Sequence, residues 1–592
     1  MLQGTRKCQN CKQEFLIEPE DFDFYEKIKV PPPTFCPECR TIRRLTFRNE
    51  LSLYKRKCSA PGHSEEMISA FAPEKKMVIY DQKYWWSDSW DPMSFGKDYD
   101  FSRTFFEQWR DFRNGFPFQS VSSSNATNSD YCNVADDSKD CYLASGSFRC
   151  EKVIYSNRVF NDKDSADLYV AHRSEFCYDD VLCSDCYHLL YSLHCTDCTD
   201  SYFLYDCRNC SNCFGCSNLR NKNYYIFNQP YTKEEYLKKI KEFNLSSFQS
   251  IQDFKKKFEE IYRKSIHKYA NILKSTMAIG DNLENTKNCQ ICFDLSKDTE
   301  NCKYSHWGTQ FKDSYDSGPG AGGGGELMYE IFDTGIQGAR NFFTSVVYGS
   351  QDIYYSFNCY SCSNLFGCIG LRSKQYCIFN KQYSKEGYEA LKIKIIEHMN
   401  NMPYVDKRGL IYKFGEFFPA ETSPFAYNET VAQDYFPLAK EQAIKKGYNW
   451  REPENKNYKI TIDTGGLPDD IKDVKDSILN EVIGCAHQGK CNDICSTAFK
   501  IIPQELQFYK KLGIPLPRYC FGCRHAMRLQ LRNPMKLWHR QCMCLPAGRQ
   551  ATRNTAKHFH GDKPCSNEFE TSYAPDRKEI VYCEQCYNSE VA

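Results

Sequence analysis

At 592 residues the chain is far longer than one hydrophobic core requires, and roughly 100–200 residues per domain predicts several units. Lys plus Arg total 77 against 76 Asp plus Glu, so a surface that seeks polyanions everywhere is excluded and any such attraction must be local. No apolar run reaches a membrane-spanning length, no apolar leader follows Met1, and the mean hydropathy is −0.64, which predicts a cytoplasmic protein that does not use a membrane. The 34 cysteines fall largely in Cys-x-x-Cys pairs, which favours thiolates in a reducing compartment over a disulfide framework.

Residues 1–60 open with Cys8-Gln-Asn-Cys11, 24 residues, then Cys36-Pro-Glu-Cys39. Two thiol pairs at that spacing supply the four sulfurs of a closed tetrahedral zinc site, each about 2.3 Å from the ion. Residues 61–125 form an aromatic-rich connector around Trp85, Trp86 and Trp90, with a helix predicted from Arg103 to Arg113.

From 126 to 229 apolar residues recur every nine positions: Cys132, Cys141, Cys150, Val159, Leu168, Cys177, Cys186, Cys195, Leu204 and Cys213. A second register adds Leu189, Cys198, Cys207 and Cys216. Fixed short periods of this kind signal a parallel β-helix or β-roll, and two nonapeptides per coil predict an 18-residue turn. The period resembles that of the calcium-binding repeat-in-toxin β-rolls, but their Gly-Gly-x-Gly-x-Asp pattern is absent, so their calcium sites are not implied. The stacked thiols read as small buried hydrophobes, with a metal or iron–sulfur occupant of Cys183, Cys186, His188, His194, Cys195 and Cys198 as the alternative.

Residues 230–280 follow as a charged helical arm, and a second solenoid at 281–381 repeats the first at an offset of 152 residues. Phe214-Gly-Cys216, Leu219-Arg220 and Ile226-Phe-Asn228 return as Phe366-Gly-Cys368, Leu371-Arg372 and Ile378-Phe-Asn380. Inside it, Ser317 to Gly325 is a glycine-rich loop without the Gly-Lys-Ser/Thr ending of a phosphate cradle. A second helical arm spans 382–400 and a polar linker or small α+β region 401–475.

Residues 476–541 repeat the opening: Cys491-Asn-Asp-Ile-Cys495, 24 residues, then Cys520-Phe-Gly-Cys523, with Arg40, Arg44, Arg48 and Cys58 returning as Arg524, Arg528, Arg532 and Cys542. Residues 542–592 predict a third zinc module around Cys583-Glu-Gln-Cys586, with Cys544 and Cys565 as partners and Cys542, His558 and His560 as alternatives. The segment Leu545 to Gln550 reads as an insertion between half-sites. The ending resembles small zinc domains that close with Tyr-Cys-x-x-Cys-Tyr, here Tyr582 to Tyr587.

Basic residues follow each second knuckle: Arg40, Arg43, Arg44 and Arg48 in the first copy, Arg524, Arg528 and Arg532 in the second. Steps of three and four place many on one helical face, where guanidinium groups can grip phosphate, pair within their own module or meet a protein partner. The Cys-x-x-Cys…Pro-Pro-Pro-Thr-Phe-Cys-Pro-x-Cys-Arg pattern resembles uncharacterised bacterial zinc-ribbon proteins with a long Cys-rich region; the resemblance implies architecture and zinc, and no activity. The chain therefore reads as mainly β and multidomain, with terminal zinc ribbons flanking duplicated β-helix or β-roll solenoids and helical arms. About three zinc ions are expected. No orienting third residue or oxyanion donor accompanies any Cys-His pair, so a non-enzymatic scaffold is expected, docking nucleic acid or a ribonucleoprotein, with a purely protein-binding scaffold as the alternative.

Overall fold

Every third residue from Val134 to Phe227 lies in the left-handed region, with φ between 42° and 64°. That conformation is costly for residues with a Cβ and least so for Asn and Asp, which fill many of these positions, among them Asp137, Asp140, Asn161, Asp167, Asp179, Asp197 and Asn209. The structure, a computed structural model, describes residues 4–320, 323–452, 458–491, 495–545 and 554–591. Two positions of the glycine-rich loop, 321–322, and the insertion at 546–550 lie outside the described residues.

The chain is mainly β, with 31% of residues in strands and 24% in helices. It gathers into two compact units, one from residues 1–121 with 270–451, the other from 122–269 with 452–592.

In the second unit, residues 122–226 build short parallel strands. Asn157 faces Tyr169 and Tyr169 faces Val181, so the register advances by twelve residues, not by the eighteen expected from paired nonapeptides. The same advance runs along neighbouring columns, as in Tyr142 to Ile154, Ala166 to Tyr178, Tyr178 to Leu190 and Thr196 to Arg208. Nine and twelve are both multiples of three, and three is the local repeat: extended, extended, left-handed. From Val134 to Asn218 the residue two before each left-handed one is buried, which gives the sequence Cys132, Ala135, Ser138, Cys141, Ala144 and onward to Cys216.

Several serines on this inner row both donate and accept, although Ser147 Oγ is buried without a partner. Ser156 Oγ donates to Ile154 O (2.9 Å) and accepts from Leu168 N (3.0 Å), and Ser165, Ser192 and Ser201 repeat the pattern. Such pairing offsets the cost of burying a hydroxyl. Asp162 occupies the same kind of position, accepting from Phe160 N and Ser174 N, and burial pushes its carboxyl up to about 7. The helix Lys233–Glu242 packs on the last strand, Asn223–Ile226, with Tyr236 buried beside Tyr224. Helix Phe248–Lys264 follows.

In the first unit the parallel ladder of residues 272–378 is less regular. Ile272 faces Leu283, Phe293 faces His306 and Phe311 faces Gly325, offsets of 11, 13 and 14, before the register settles at twelve from Ala339 to Gln351, Ser363 and Gln375. Helix Lys385–Asn401 packs on the final strand, with Tyr388 buried beside Tyr376 in the arrangement of Tyr236 and Tyr224. No helix among the described residues is long and apolar enough to cross a membrane.

Candidate metal centres

The N-terminal hairpin pairs Gly4–Lys7 with Glu14–Ile17 and delivers Cys8 and Cys11. The second thiol pair sits at the start of a helix, not on a second hairpin tip: Cys36 caps Pro37–Leu45 and Cys39 lies in its first turn. Exposed amides and the positive end of the helix dipole favour thiolate there. The four sulfurs of Cys8, Cys11, Cys36 and Cys39 lie within 4.8 Å of one another, with Cys11 and Cys36 3.7 Å apart. A tetrahedron with arms of about 2.3 Å has sulfur–sulfur edges of about 3.8 Å, so the spacing fits one ion held by four thiolates. Hydrogen bonds from Cys36 and Cys39 pull Cys8 far below its ordinary value, while Cys36 is driven up by Cys39 and Cys8. Four sulfurs this close cannot all ionise without a cation.

In the second unit the quartet is Cys485, Cys495, Cys520 and Cys523. This corrects the expected set, which held Cys491 in place of Cys485. Cys485 follows the strand Ile483–Gly484 as Cys8 follows Gly4–Lys7, and Cys520 N donates to Cys485 Sγ at 3.3 Å as Cys36 N donates to Cys8 Sγ at 3.3 Å. Sulfur separations of 3.8 Å (Cys485–Cys523), 3.9 Å (Cys495–Cys520) and 3.6 Å (Cys520–Cys523) again match tetrahedral edges. Cys491 stands 3.7 Å from Cys523 and forms with it and His487 a trio that shares Cys523 with the quartet. The signal that could have found Cys485 was the β-residue pair before it; the Cys-x-x-x-Cys at 491–495 hid it.

The C-terminal module pairs Trp538–Gln541 with Glu568–Thr571, then Ile580–Tyr582 with Ile266–Lys268. It brings Cys542, Cys565, Cys583 and Cys586 together, so Cys542 takes the place expected for Cys544. Cys544, His558 and His560 form another group that also includes Cys586.

The first unit carries a counterpart of this module in which, among the described residues, no donors gather closely enough to share an ion. Tyr54–Lys57 pairs with Glu66–Ser69, Cys58 follows the first strand, and Asp81 N donates to Cys58 Sγ at 3.2 Å, as Cys583 N donates to Cys542 Sγ at 3.1 Å. Its strand Ile79–Tyr80 likewise pairs in parallel with Phe118–Gln119. Rings fill the space instead: Tyr80 against Tyr84 (5.2 Å) and Trp90 (5.5 Å), His63 against Tyr84 (4.7 Å), with Trp85 fully buried.

The arginines expected on a phosphate-gripping surface are elsewhere. Arg40 and Arg44 are buried and share Asp316 at 2.8 and 3.1 Å, Arg43 bridges Glu330 (2.6 Å) and Glu416 (2.9 Å), and Arg48 meets Asp333 at 2.7 Å. In the second unit Arg524 and Arg528 share Asp167 at 2.9 and 2.7 Å; Arg532 is half-buried. Burial works against the charge on Arg40 and Arg524, yet Asp316 and Asp167 outweigh it and hold both guanidinium pKa values above the ordinary one. Arg40, Arg43, Arg44, Arg48, Arg524 and Arg528 are paired inside the protein, which is the intramolecular pairing the sequence left open beside phosphate grip, with acids supplied mostly from outside the module. Asp316 and Asp167 both occupy left-handed positions of the ladders, so in each unit a helix that starts at a thiolate pair is pinned to the β-repeat by two arginines on one aspartate.

The thiols inside the ladders fall into two sets: neighbouring thiols pull Cys210 and Cys289 down, and do so for Cys195 against its burial, whereas those at the start of the first ladder behave differently from the quartets. Burial pushes Cys132, Cys141 and Cys150 up to about 12, and their sulfurs face carbonyls, as Cys150 Sγ does Val159 O at 3.4 Å. Among the described residues, no group of donors close enough to share an ion includes these thiols or Cys183, Cys186, Cys195 and Cys198. His188 faces Asp200 at 2.9 Å. No protein-family model matches the chain, and no curated protein matches it.

Proposed function

We propose that the chain is a non-enzymatic, zinc-stapled scaffold of a reducing cytoplasm, akin to the bacterial zinc-ribbon proteins its N-terminal motif resembles. In this reading each unit is a four-sided parallel β-solenoid with one triplet per side and twelve residues per coil, locked to a thiolate-bound knob, and its outer faces serve protein partners. The observation that carries it is the shared clamp, Arg40 and Arg44 on Asp316 in one unit and Arg524 and Arg528 on Asp167 in the other. Buried ion pairs of this kind hold one geometry, which suits a rigid spacer and removes the cations a polyanion would need. Thiolate quartets select zinc over harder ions. The test joins elemental analysis with binding of mixed RNA and DNA across a salt series. Zinc in both ribbons with no salt-sensitive nucleic-acid affinity is expected; tight binding that falls steeply with salt overturns the protein-scaffold reading, and absence of bound metal overturns the staple.

A further inference from the structure

The C-terminal module holds seven donors where one tetrahedral ion needs four. Cys542, Cys565, Cys583 and Cys586 lie within 4.8 Å of one another, and so do Cys544, His558, His560 and Cys586. Only Cys586 belongs to both groups, and its sulfur lies in a fully buried residue. A thiolate has lone pairs for two ions. We propose that this module binds a pair of metal ions bridged by Cys586, the first completed by Cys542, Cys565 and Cys583, the second by Cys544, His558 and His560. The proposal rests on reading the thiolate clusters as metal sites.

The surroundings of the two imidazoles point to the second ion. His558 Nδ1 faces Cys544 Sγ at 3.5 Å while its Nε2 lies 2.7 Å from Glu590 Oε1. Glu590 is itself held by Thr555 N (2.9 Å), Thr555 Oγ1 (2.7 Å) and Ala556 N (3.2 Å). His560 is oriented the opposite way, with Nε2 3.2 Å from Cys544 Sγ and Nδ1 2.6 Å from Lys563 O. Each ring therefore has one nitrogen anchored to an oxygen acceptor and the other aimed at the sulfur. An acceptor on the far nitrogen fixes the tautomer and raises the basicity of the near one, which is how metal-bound histidines are supported. Five thiolates against two divalent ions leave one negative charge. N–H donors are present to spread it: Asn554 Nδ2 on Cys544 (3.3 Å), Asn567 Nδ2 on Cys583 (3.4 Å) and Cys583 N on Cys542 (3.1 Å).

Elemental analysis of the full chain and of the His558→Ala/His560→Ala variant tests the count. The variant is expected to lose one ion per chain and keep the rest. Equal metal content in both proteins overturns the second ion. A measurement that needs no variant guards against misfolding: in the wild-type protein loaded with ¹¹³Cd, two resonances of this module should show cadmium–cadmium coupling through the shared sulfur, and uncoupled resonances overturn the bridge. A chain that binds no metal at any cluster refutes the staple reading itself, a different outcome from losing only the second ion.

Discussion

The hairpin modules that contain Cys58 and Cys542 have the same strands in the same pairing and end in a helix, yet one gathers sulfur and imidazole donors and the other aromatic rings. The comparison teaches that the backbone arrangement is prior to its fastening. In the C-terminal copy Cys542, Cys565, Cys583 and Cys586 gather where an ion could be held, and an ion bound there would add to the stability that burial supplies. In the N-terminal copy Trp85, Tyr84, Trp90 and Tyr80 supply apolar area, and Trp85 Nε1 finds Pro117 O at 3.0 Å, so its polar tip is satisfied.

Four experiments break or sharpen this contrast. The largest effect is expected for Cys583→Ser, which removes a ligand of the C-terminal quartet. Structural zinc contributes on the order of 10 kcal/mol to folding of such modules, so residues 538–591 should lose hydrogen-exchange protection while residues 54–86 keep theirs. Protection retained in both would mean that the donors are ornamental. Next, Asp167→Asn strands Arg524 and Arg528 without their shared carboxylate and should cost about 3–5 kcal/mol in the second unit, read as a drop in the denaturant midpoint; Asp316→Asn should do the same in the first. Equal sensitivity of the two units would show that the clamp is independent of how the adjoining hairpin is fastened. Trp85→Ala, the apolar equivalent of removing a ligand, should cost about 3–5 kcal/mol and leave bound metal unchanged. A fall in metal content on that change would contradict the division of labour.

The smallest effect concerns pH. Asp162 has a folded-state pKa raised by burial to about 7, above its unfolded value, so the folded state holds an extra proton between roughly pH 4 and 7 and stability falls as pH rises through that window. Asp162→Ser, which places the ladder's usual hydroxyl there, should remove that slope and gain on the order of 1–2 kcal/mol at pH 8 relative to pH 5. Thermal melts at the two pH values decide it; an unchanged slope would place the proton elsewhere.

Much of the metal chemistry was legible because ligand spacing is local. Cys8, Cys11, Cys36 and Cys39 announce themselves, and so do Cys520 and Cys523. Cys485 did not, because its partner lies ten positions on and a better-looking pair intervened. The nine-residue period was real but was a harmonic: inward residues fall every third position, and cysteine happened to mark every third of those. Nothing in a linear pattern distinguishes nine from twelve until strands pair. The arginines show the deepest limit. Helical spacing tells which of them share a face, but Asp316 lies 272 positions beyond Arg44, and only the folded chain reveals that the face is covered.

The twelve-residue advance constrains how such a chain can change in length. Inserting or deleting twelve residues keeps every later side chain in its register, whereas a change of nine moves each later residue out of its register and a change of a single residue breaks the three-residue repeat that keeps the buried row inside. The first unit, with offsets wandering from 11 to 14 before returning to twelve, displays how much slippage one stack can absorb and still recover its beat.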